Sequence, residues 1–546
     1  MVLSKKVLKI VVVFILTLAF ISIVNVNGTG FNSRGEMANT LINSNLHQSG
    51  GDDGFALCSA EGDQGRIVGI PQACSDGFGG AIIIWGDERN GNRDIYAQHI
   101  DEAGRMMWAL NGINISSNID DEDDPQIISD GFGGAIIVWE IYISGSYDIL
   151  AQRIASNGTS LWGNSPVIVC NATGPQIRPK ICSDNDGGAI ITWHDDRNLP
   201  YGVYEIYAQR IDKTGDPKWD NNGTVVCSVG LGSTHRNPEI CSDGSGGAII
   251  TWQDNRTSPT NYNIYAQKIN ASGDVQWNAN GIVICNASNE QLTAKIISDE
   301  YGGAIITWKD DRTATSYWKV YAQRVDSGGV TRWTENGIVI TPYTIHYSEQ
   351  YMCSDGSGGA IITWRDHRYT SQGDLFAQRI DINGNNLWTS NGELICNVTD
   401  MQYPGGISGD GDGGAVIVWR DMRTADYDNW DIYAQQIDSN GKALWDNDGT
   451  AICTDGNDQD YPTVIVTTTK MAFFTWIDNR THSSGWDIYY FGKELIIKTG
   501  QAGNGILDLL LSPLVLGGIA VVELIIIIAL ISRKLTSKRT LKAKST

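Results

Sequence analysis

Short apolar segments alternate with Gly, Asn and Asp along most of the chain, and the alternation recurs as a long repeat. The segment SDGSGGAIITWRDHR (354–368) nearly duplicates SDGSGGAIITWQDNR (242–256). Each repeat holds four short segments rich in Ile, Val, Thr, Tyr or Trp, a pattern that predicts four β-strands joined by turns. The tryptophan of the motif marks eight repeats: Trp85, Trp139, Trp193, Trp252, Trp308, Trp364, Trp419 and Trp476.

An isolated four-stranded sheet cannot bury both of its faces, whereas eight sheets in a radial array can. We therefore predict an all-β, eight-bladed β-propeller of four-stranded antiparallel blades; the alternative is a linear β-solenoid. The eighth repeat lacks its fourth strand, and an orphan segment, GFALC (54–58), precedes the first repeat. We expect this N-terminal strand to complete the last blade and close the ring, which removes exposed sheet edges.

The repeat, written SDGxGGAIIxWxDxR…DIYAQRID…G…W…NG…IC, resembles the repeats of bacterial and archaeal secreted or surface β-propeller proteins over residues 54–495. The resemblance implies the propeller architecture and no single activity.

The two ends of the chain are apolar and flanked by Lys and Arg. Lysines precede the apolar run at 10–24, as in a secretory signal, and a longer apolar run at 506–531 is followed by a basic tail. By the positive-inside rule the tail is cytoplasmic, so we expect a single-pass plasma-membrane protein with an extracellular propeller. The predicted divisions are a signal peptide or N-terminal anchor (1–27), a linker (28–53), the propeller (54–495), a second linker (496–505), a C-terminal transmembrane helix (506–532) and the cytoplasmic tail (533–546).

Net charge narrows the range of partners. The chain carries a formal charge of −22 and has a pI of about 4.6. A field of that sign repels phosphate backbones, so we expect no nucleic-acid partner.

Motifs present in nearly every blade are typical of scaffold rather than of a site, because a site in a ring is asymmetric. The W-x-D-x-R motif occurs in seven blades and favours an Asp–Arg pair at a strand end over a ring of anion-binding arginines. The D-G-x-G-G turns favour aspartate caps. Their acid-rich forms at 183–188 and 409–414 would also suit Ca²⁺, and no other cofactor is expected.

The ten cysteines occupy two repeat positions. An extracellular location permits disulfides, with Cys58–Cys74, Cys170–Cys182 and Cys227–Cys241 as candidate pairs. The exchange of Cys with Ile between repeats favours small buried side chains instead. No Cys/His spacing typical of a metal site is present, so no metal ligand is predicted.

Sequence motifs give no support for catalysis. The segment IDINGNNLW (380–388) and its copies resemble the D-x-x-T-G-x-x-x-W repeat of quinoprotein dehydrogenases and the Asp box of sialidases. The adjacent cysteine pair of the first class is missing, and the second has different spacing. No Ser-His-Asp order, phosphate loop or HExxH is found. We expect no catalytic residues and a protein that is not an enzyme.

The connections between strands D and A and between B and C share one face, and their lengths and sequences vary. Variable loops rich in Tyr and Trp are typical of recognition surfaces, although such rings also pack loops together. We expect a cell-surface binding or adhesion module for an extracellular protein or glycan; the alternatives are a propeller hydrolase, lyase or quinoprotein, or a structural surface-layer component. The candidate ligand-binding residues are Tyr204, Tyr262, Trp318, Tyr369, Trp430 and Trp486. The candidate glycosylation sites are Asn114, Asn157, Asn171, Asn222, Asn255, Asn270, Asn286, Asn397 and Asn479.

Overall fold

The computed structural model describes residues 53–497, except 66–69, 117, 198–199, 201, 231, 314–317, 342, 344–349, 370–371, 424–428 and 481–484. The predicted N-terminal signal or anchor (1–27) and transmembrane helix (506–532) lie outside the described residues. Within those residues, no helix has the length and apolar character needed to span a bilayer. The chain divides into two compact units, Met1–Glu494 and Leu495–Thr546, and the fold below is that of the first.

The described residues form eight four-stranded antiparallel sheets. The strands of the closing segment and of blades 1 to 4 are β1 (Phe55–Cys58), β2 (Gln72–Ser75), β3 (Ala81–Asp87), β4 (Asp94–Ile100), β5 (Ile113–Asn114), β6 (Glu122–Ser129), β7 (Ala135–Ile143), β8 (Ser146–Ile154), β9 (Val167–Cys170), β10 (Gln176–Ser183), β11 (Ala189–Asp195), β12 (Glu205–Ile211), β13 (Thr224–Cys227), β14 (His235–Ser242), β15 (Ala248–Asp254), β16 (Asn263–Ile269) and β17 (Ile282–Cys285). The strands of blades 5 to 8 are β18 (Gln291–Ser298), β19 (Ala304–Asp310), β20 (Lys319–Val325), β21 (Ile338–Val339), β22 (Tyr351–Ser354), β23 (Ala360–Asp366), β24 (Asp374–Ile380), β25 (Glu393–Cys396), β26 (Gln402–Gly409), β27 (Ala415–Asp421), β28 (Asp431–Ile437), β29 (Thr450–Cys453), β30 (Gln459–Val466), β31 (Met471–Asp478) and β32 (Asp487–Glu494). The architecture is thus the eight-bladed propeller predicted from the repeat.

Ring closure follows the sequence prediction. In blade 8 the sheet order is β1, β32, β31, β30, so the N-terminal strand supplies the missing outer strand. Phe55 pairs with Tyr490, and Cys58 pairs with Ile488. Leu57 and Cys58 are fully buried there. The chain termini of the ring are therefore held together by one antiparallel pairing.

The hydrophobic cores lie between neighbouring blades. The tryptophan of strand B is fully buried in all eight blades. In seven blades it packs beside an aromatic ring of strand C, as in the pair Trp193–Tyr207, whose ring centroids are 6.4 Å apart; in blade 2 the opposite residue is Leu150. A second tryptophan, after the C–D turn, reaches the next blade, where the Trp162 indole N–H donates to the Lys213 carbonyl at 3.1 Å. Such contacts link each of blades 1 to 6 to the blade that follows it.

The W-x-D-x-R motif is structural, as predicted. In blade 6, the Trp364 indole and the Arg368 guanidinium both donate to the carboxylate of Asp366, which is fully buried. The guanidinium also lies 3.6 Å from the centroid of the Phe376 ring. Each arginine thus has its own buried carboxylate, so these side chains do not form a ring of anion sites.

None of the ten cysteines forms a disulfide. The cysteines at the ends of strand D accept a hydrogen bond from an arginine of the next blade. For example, Arg197 Nη2 lies 3.1 Å from Cys170 Sγ. Burial raises the pKa of the Cys170 thiol to about 12, so it stays protonated. The prediction of small buried side chains is confirmed, with the addition that this sulfur is also a hydrogen-bond acceptor.

Blade 2 departs from the repeat and compensates for the departure. Ile141 stands where the other blades have the buried aspartate, so Trp139 lacks its usual carboxylate. Glu122 on strand A occupies the position of a glutamine in other blades and is fully buried beside Trp139 and Ser116. Burial raises its pKa to about 7, although the nearby hydroxyl and indole lower it in part. In blade 2, a carboxyl group on strand A thus takes the place of the one that the other blades carry on strand B.

Candidate active site at the channel mouth

The residue between Trp and Asp of the motif varies around the ring, although its two neighbours are the same in seven of the eight blades. It occupies the same register position in strand B of every blade, next to the start of strand A, the innermost strand. Around the ring these residues are Gly86, Glu140, His194, Gln253, Lys309, Arg365, Arg420 and Ile477. We call this set the variable ring. Acid and imidazole groups occupy blades 2 and 3, and cations occupy blades 5 to 7.

A β-bulge near the start of strand A brings the backbone beside the variable ring. In blade 2 the pairing passes from Asp123↔Glu140 to Gln126↔Val138, which leaves one extra residue on strand A. Bulges of this kind re-aim side chains and are frequent next to active sites. The residue inside the bulge has positive φ in five blades, a conformation that costs side-chain-bearing residues of order 1–3 kcal/mol. These residues are Asp124 (47°), Arg178 (55°), Asn237 (51°), Thr293 (51°) and Tyr461 (50°).

The bulge residues line two cavities at the end of the central channel. The larger cavity has a volume of about 660 Å³, and its walls include Asp124, Arg420 and Tyr461. The smaller cavity has a volume of about 260 Å³ and is lined by bulge residues of blades 2 to 5, among them Asp124 and Arg178. Asp124 belongs to both walls, so the two cavities adjoin at blade 2.

Glu140 is the acidic member of the variable ring. It is 7% exposed, and its Oε2 accepts a hydrogen bond of 2.8 Å from the backbone N–H of Arg178, the bulge residue of blade 3. Burial, together with the negative charges of Asp124 and Asp123, raises the pKa of Glu140 to about 8. At neutral pH this carboxyl group therefore holds its proton next to Arg178, which lines the smaller cavity, whereas Glu140 itself lines neither cavity.

The neighbours of Glu140 have distinct protonation states. Asp123 pairs with Arg93 at 2.8 Å; burial raises its pKa to about 6, while the guanidinium opposes the rise. Burial lowers the pKa of His194 to about 3, with smaller contributions from the cations Arg178 and Arg236. The imidazole is consequently neutral and accepts a hydrogen bond from the backbone N–H of Asn237. This side of the mouth combines a protonated carboxyl, an ionisable carboxylate and a neutral imidazole.

The opposite side of the mouth combines arginines with aromatic rings. The Arg365 guanidinium lies 4.0 Å from the centroid of the Tyr403 ring, and that of Arg420 lies 4.6 Å from the Trp430 ring. Tyr403 and Trp430 pack edge to face with centroids 5.6 Å apart. The Arg420 Nη1 also contacts both carboxylate oxygens of Asp460 at 2.6 Å. This aromatic and cationic wall suits a ligand with flat apolar faces and negative groups.

The candidate ligand-binding residues differ in exposure. Tyr369 is 66% exposed, whereas the other five are half-buried. Trp318 packs against the core between blades 5 and 6, and Tyr204 packs beside His194. Trp430 is the one that stands beside a residue of the larger cavity, through its contact with Arg420. Most of these rings therefore pack their loops, which is the other role the sequence left open.

The candidate glycosylation sites differ in exposure. Asn114, Asn157, Asn171, Asn286 and Asn397 are exposed, and Asn222, Asn270 and Asn479 are half-buried. Asn255 is 8% exposed; its Oδ1 accepts from the Thr234 N–H at 2.7 Å, and its Nδ2 donates to the Pro259 carbonyl. The folded chain does not present this amide to solvent.

Sequence reasoning missed the variable ring. It looked for function in the loops between strands, although the middle position of W-x-D carried the same kind of signal. That position changes from Gly to Glu, His, Gln, Lys and Arg while Trp and Asp stay fixed in most blades. Variation at one register position of a repeat is therefore the sequence feature that would have found this site.

Comparisons with known proteins add distant structural likenesses. No family model and no curated protein match the chain. A solved protein of unknown function from Dyadobacter fermentans DSM 18053 is 7% identical, with a TM-score of 0.36, over 81% of this chain and 98% of its own. An ulvan lyase, described as a new family of polysaccharide lyase, is 9% identical with a TM-score of 0.43, over 81% and 96%. An α-L-arabinanase from Penicillium chrysogenum is 11% identical with a TM-score of 0.31, over 58% and 93%.

These likenesses are too distant to assign an activity, but they correct one expectation. The sequence analysis expected a protein that is not an enzyme, and that expectation is wrong: the solved structures matched include glycoside hydrolases and a polysaccharide lyase. The structure also places the carboxyl group of Glu140 and the imidazole of His194 against Arg178 and Asn237, which line the smaller cavity.

Proposed function

We propose that the protein is an enzyme that cleaves glycosidic bonds of a polysaccharide at the channel mouth. The observation that carries the proposal is Glu140, a buried carboxyl bonded to the cavity-lining Arg178, whose pKa of about 8 keeps it protonated at neutral pH. Strongly shifted pKa values in clefts are typical of acid–base catalysts. Burial of one carboxyl group near an ionised second one is the arrangement that separates acid and base roles.

The reaction assigned to the site is a hydrolysis. Glu140 donates its proton to the glycosidic oxygen as the bond between that oxygen and the anomeric carbon breaks. A water molecule attacks the anomeric carbon, and Asp124, which lines both cavities, accepts the proton of that water. Two carboxyl groups in these roles are the usual requirement for glycoside hydrolysis.

The opposite wall would bind the sugar chain. The larger cavity, at about 660 Å³, is of the size that holds small ligands. Tyr461, which is 46% exposed in the cavity wall, offers a ring face for sugars, and Lys180 in the same cavity offers a charge for carboxylate or sulfate groups. We therefore expect an acidic polysaccharide as substrate.

The place of action is part of the proposal. The apolar run at 506–531 and the basic tail support a single-pass membrane anchor with the propeller outside the cell, where polysaccharides are found. The earlier hypothesis of a binding or adhesion module is the competing one, and a common experiment distinguishes the two.

The test is a screen of acidic and neutral polysaccharides with the purified protein, in which reducing ends and the ultraviolet absorbance of unsaturated uronates are both measured. Glu140→Gln keeps an acceptor for the Arg178 N–H but has no proton to donate, and we expect it to lower kcat by about 10²–10⁴-fold while substrate binding persists. Glu102→Gln, an exposed change in a C–D turn, is the matched control for the loss of one charge.

The pH profile gives a second criterion. For the wild type, kcat/KM should fall as pH rises through about 8, because the acid loses its proton. Full activity of Glu140→Gln would falsify the catalytic role. Saturable binding of a glycan without turnover of any substrate would instead support the binding module, and release of unsaturated uronates would replace hydrolysis by elimination.

A further inference from the structure

One histidine of the propeller occupies a position where other blades carry an amide. His235 begins strand A of blade 4, at the place held by Gln176 in blade 3 and Gln291 in blade 5. Gln64, Gln402 and Gln459 hold it in blades 1, 7 and 8. The imidazole therefore brings a nitrogen ligand to one site of the ring and not to its counterparts.

Hydrogen bonding fixes the orientation of this ring. His235 is fully buried, and its Nδ1 lies 2.9 Å from the carbonyl oxygen of Tyr204. A carbonyl accepts only, so Nδ1 carries the hydrogen and Nε2 carries the lone pair. Histidines that bind metals usually donate their second ring N–H to a carbonyl or carboxylate in this way. Nε2 has no hydrogen-bond partner among the described residues.

The unpartnered nitrogen faces two further donor atoms. Asp254 Oδ2 lies 3.4 Å from His235 Nε2, and the sulfur of Cys227 completes a set whose members all lie within 4.8 Å of one another. Two donor atoms of a tetrahedral ion with bonds of about 2.1 Å stand about 3.4 Å apart. The distance between His235 Nε2 and Asp254 Oδ2 thus equals the distance that two ligands of one ion require. Without a cation, the lone pairs of these two atoms would face each other and repel.

The charges nearby also suit a divalent cation. Arg256 donates to both Cys227 and Asp254, so one positive group is already present. The negative groups nearby are the carboxylates of Asp254 and Glu205 and, once an ion binds, the thiolate of Cys227. The negative charges then exceed the guanidinium charge by two.

We propose that Cys227, His235 and Asp254 form a buried site for a zinc-like divalent transition ion between blades 3 and 4. Sulfur and imidazole ligands select such ions over Ca²⁺ and Mg²⁺, which prefer oxygen. Binding replaces the thiol proton, which leaves for solvent, by a metal–sulfur bond. Because Cys227 lies on strand D of blade 3 and the other two ligands belong to blade 4, the ion links two blades. The buried position implies that it enters during folding.

The test uses the full chain, purified in detergent, stripped of metal by unfolding in chelator, and refolded with Co²⁺ or Zn²⁺. We expect one equivalent of bound metal and, with cobalt, a thiolate-to-cobalt charge-transfer band together with the visible bands of a tetrahedral ion. His235→Gln should lose the bound equivalent and both sets of bands, and Cys227→Ser should lose the charge-transfer band.

The repeat supplies the controls. His235→Gln installs the residue that five other blades carry, so the variant should fold, which circular dichroism verifies. Cys170→Ser changes the equivalent cysteine one blade earlier, where the neighbouring residue is Gln176, and should leave the cobalt spectrum unchanged. A refolded wild type without bound metal would overturn the proposal, as would a cobalt spectrum that survives in His235→Gln; in either case the Cys227 thiol simply keeps its hydrogen bond to the Asn280 carbonyl.

Discussion

Replacement of Glu140 by glutamine should change how the stability of the propeller depends on pH. Glutamine has nearly the same shape and can still accept the hydrogen bond from the Arg178 N–H, which the carboxyl accepts at 2.8 Å. What the substitution removes is a group that titrates in the native state at about 8 and in an unfolded chain at its ordinary value of 4.5. The variant therefore isolates the energetic consequence of that difference.

The sign follows from which state binds the proton more tightly. The native state holds the proton of Glu140 up to pH 8, while the unfolded state releases it above pH 4.5, so the stabilisation is complete at pH 4.5 and is lost as pH rises through 8. Between those values the loss amounts to about 1.4 kcal/mol per pH unit, and over the whole interval to on the order of 5 kcal/mol. The unfolding free energy of the variant minus that of the wild type should therefore increase by about 1.4 kcal/mol for each pH unit between 4.5 and 8.

The assay is chemical denaturation of wild type and Glu140→Gln at half-unit steps from pH 5 to 8, with tryptophan fluorescence as the signal. The quantity of interest is the difference between the two curves, because titrations common to both proteins cancel. Glu102→Gln provides the baseline for an exposed acid on the opposite face. Parallel curves for wild type and Glu140→Gln would refute the reasoning, since Glu140 would then titrate alike in both states.

Three further substitutions test the fold. Leu57→Ala should lower the unfolding free energy by about 2–5 kcal/mol in denaturation experiments, because a fully buried side chain of the closing strand is lost, and an unchanged midpoint would show that closure contributes little. Asp366→Ala should cost about 3–5 kcal/mol by the same assay, since it leaves an enclosed guanidinium without its carboxylate, whereas a cost near that of an exposed ion pair would contradict the structural role. Ile141→Asp alone should destabilise blade 2, because it places a second carboxyl near Glu122. The triple change Ile141→Asp, Glu122→Gln and Ile143→Arg, which restores the common motif, should bring the melting temperature back towards the wild-type value, and equal melting temperatures of the single and triple variants would refute the compensation.

Sequence was sufficient for the parts of the fold that every blade repeats. The eight tryptophans set the number of blades, and the orphan strand at 54–58 closed the ring as expected, because both depend on patterns of apolar residues that local physics makes specific. The Asp–Arg pairs and the free cysteines could be predicted for the same reason. A residue that recurs in most blades makes the same contact in each of them.

The bulges could not be predicted from sequence. Asp124, Arg178, Asn237 and Tyr461 each precede a proline and yet adopt positive φ. A residue before proline normally favours extended backbone, so the local rule gives the opposite answer. The inner strands must converge on the axis, and the pairing of strand A with strand B around one extra residue overrides the local preference. The positions of the cavity walls depend on this geometry and therefore emerge only in three dimensions.

Internal repetition also decides how loss-of-function variants can be interpreted. A conservative change at a catalytic residue usually leaves open whether chemistry or folding was affected. Here Gln253 already occupies the position of Glu140 two blades further on, and Gln176 occupies that of His235 in the preceding blade, both with buried side chains. The scaffold thus accommodates the glutamine at each position. Glu140→Gln and His235→Gln therefore separate the proposed proton-donating and metal-binding roles from the structural role of the position itself.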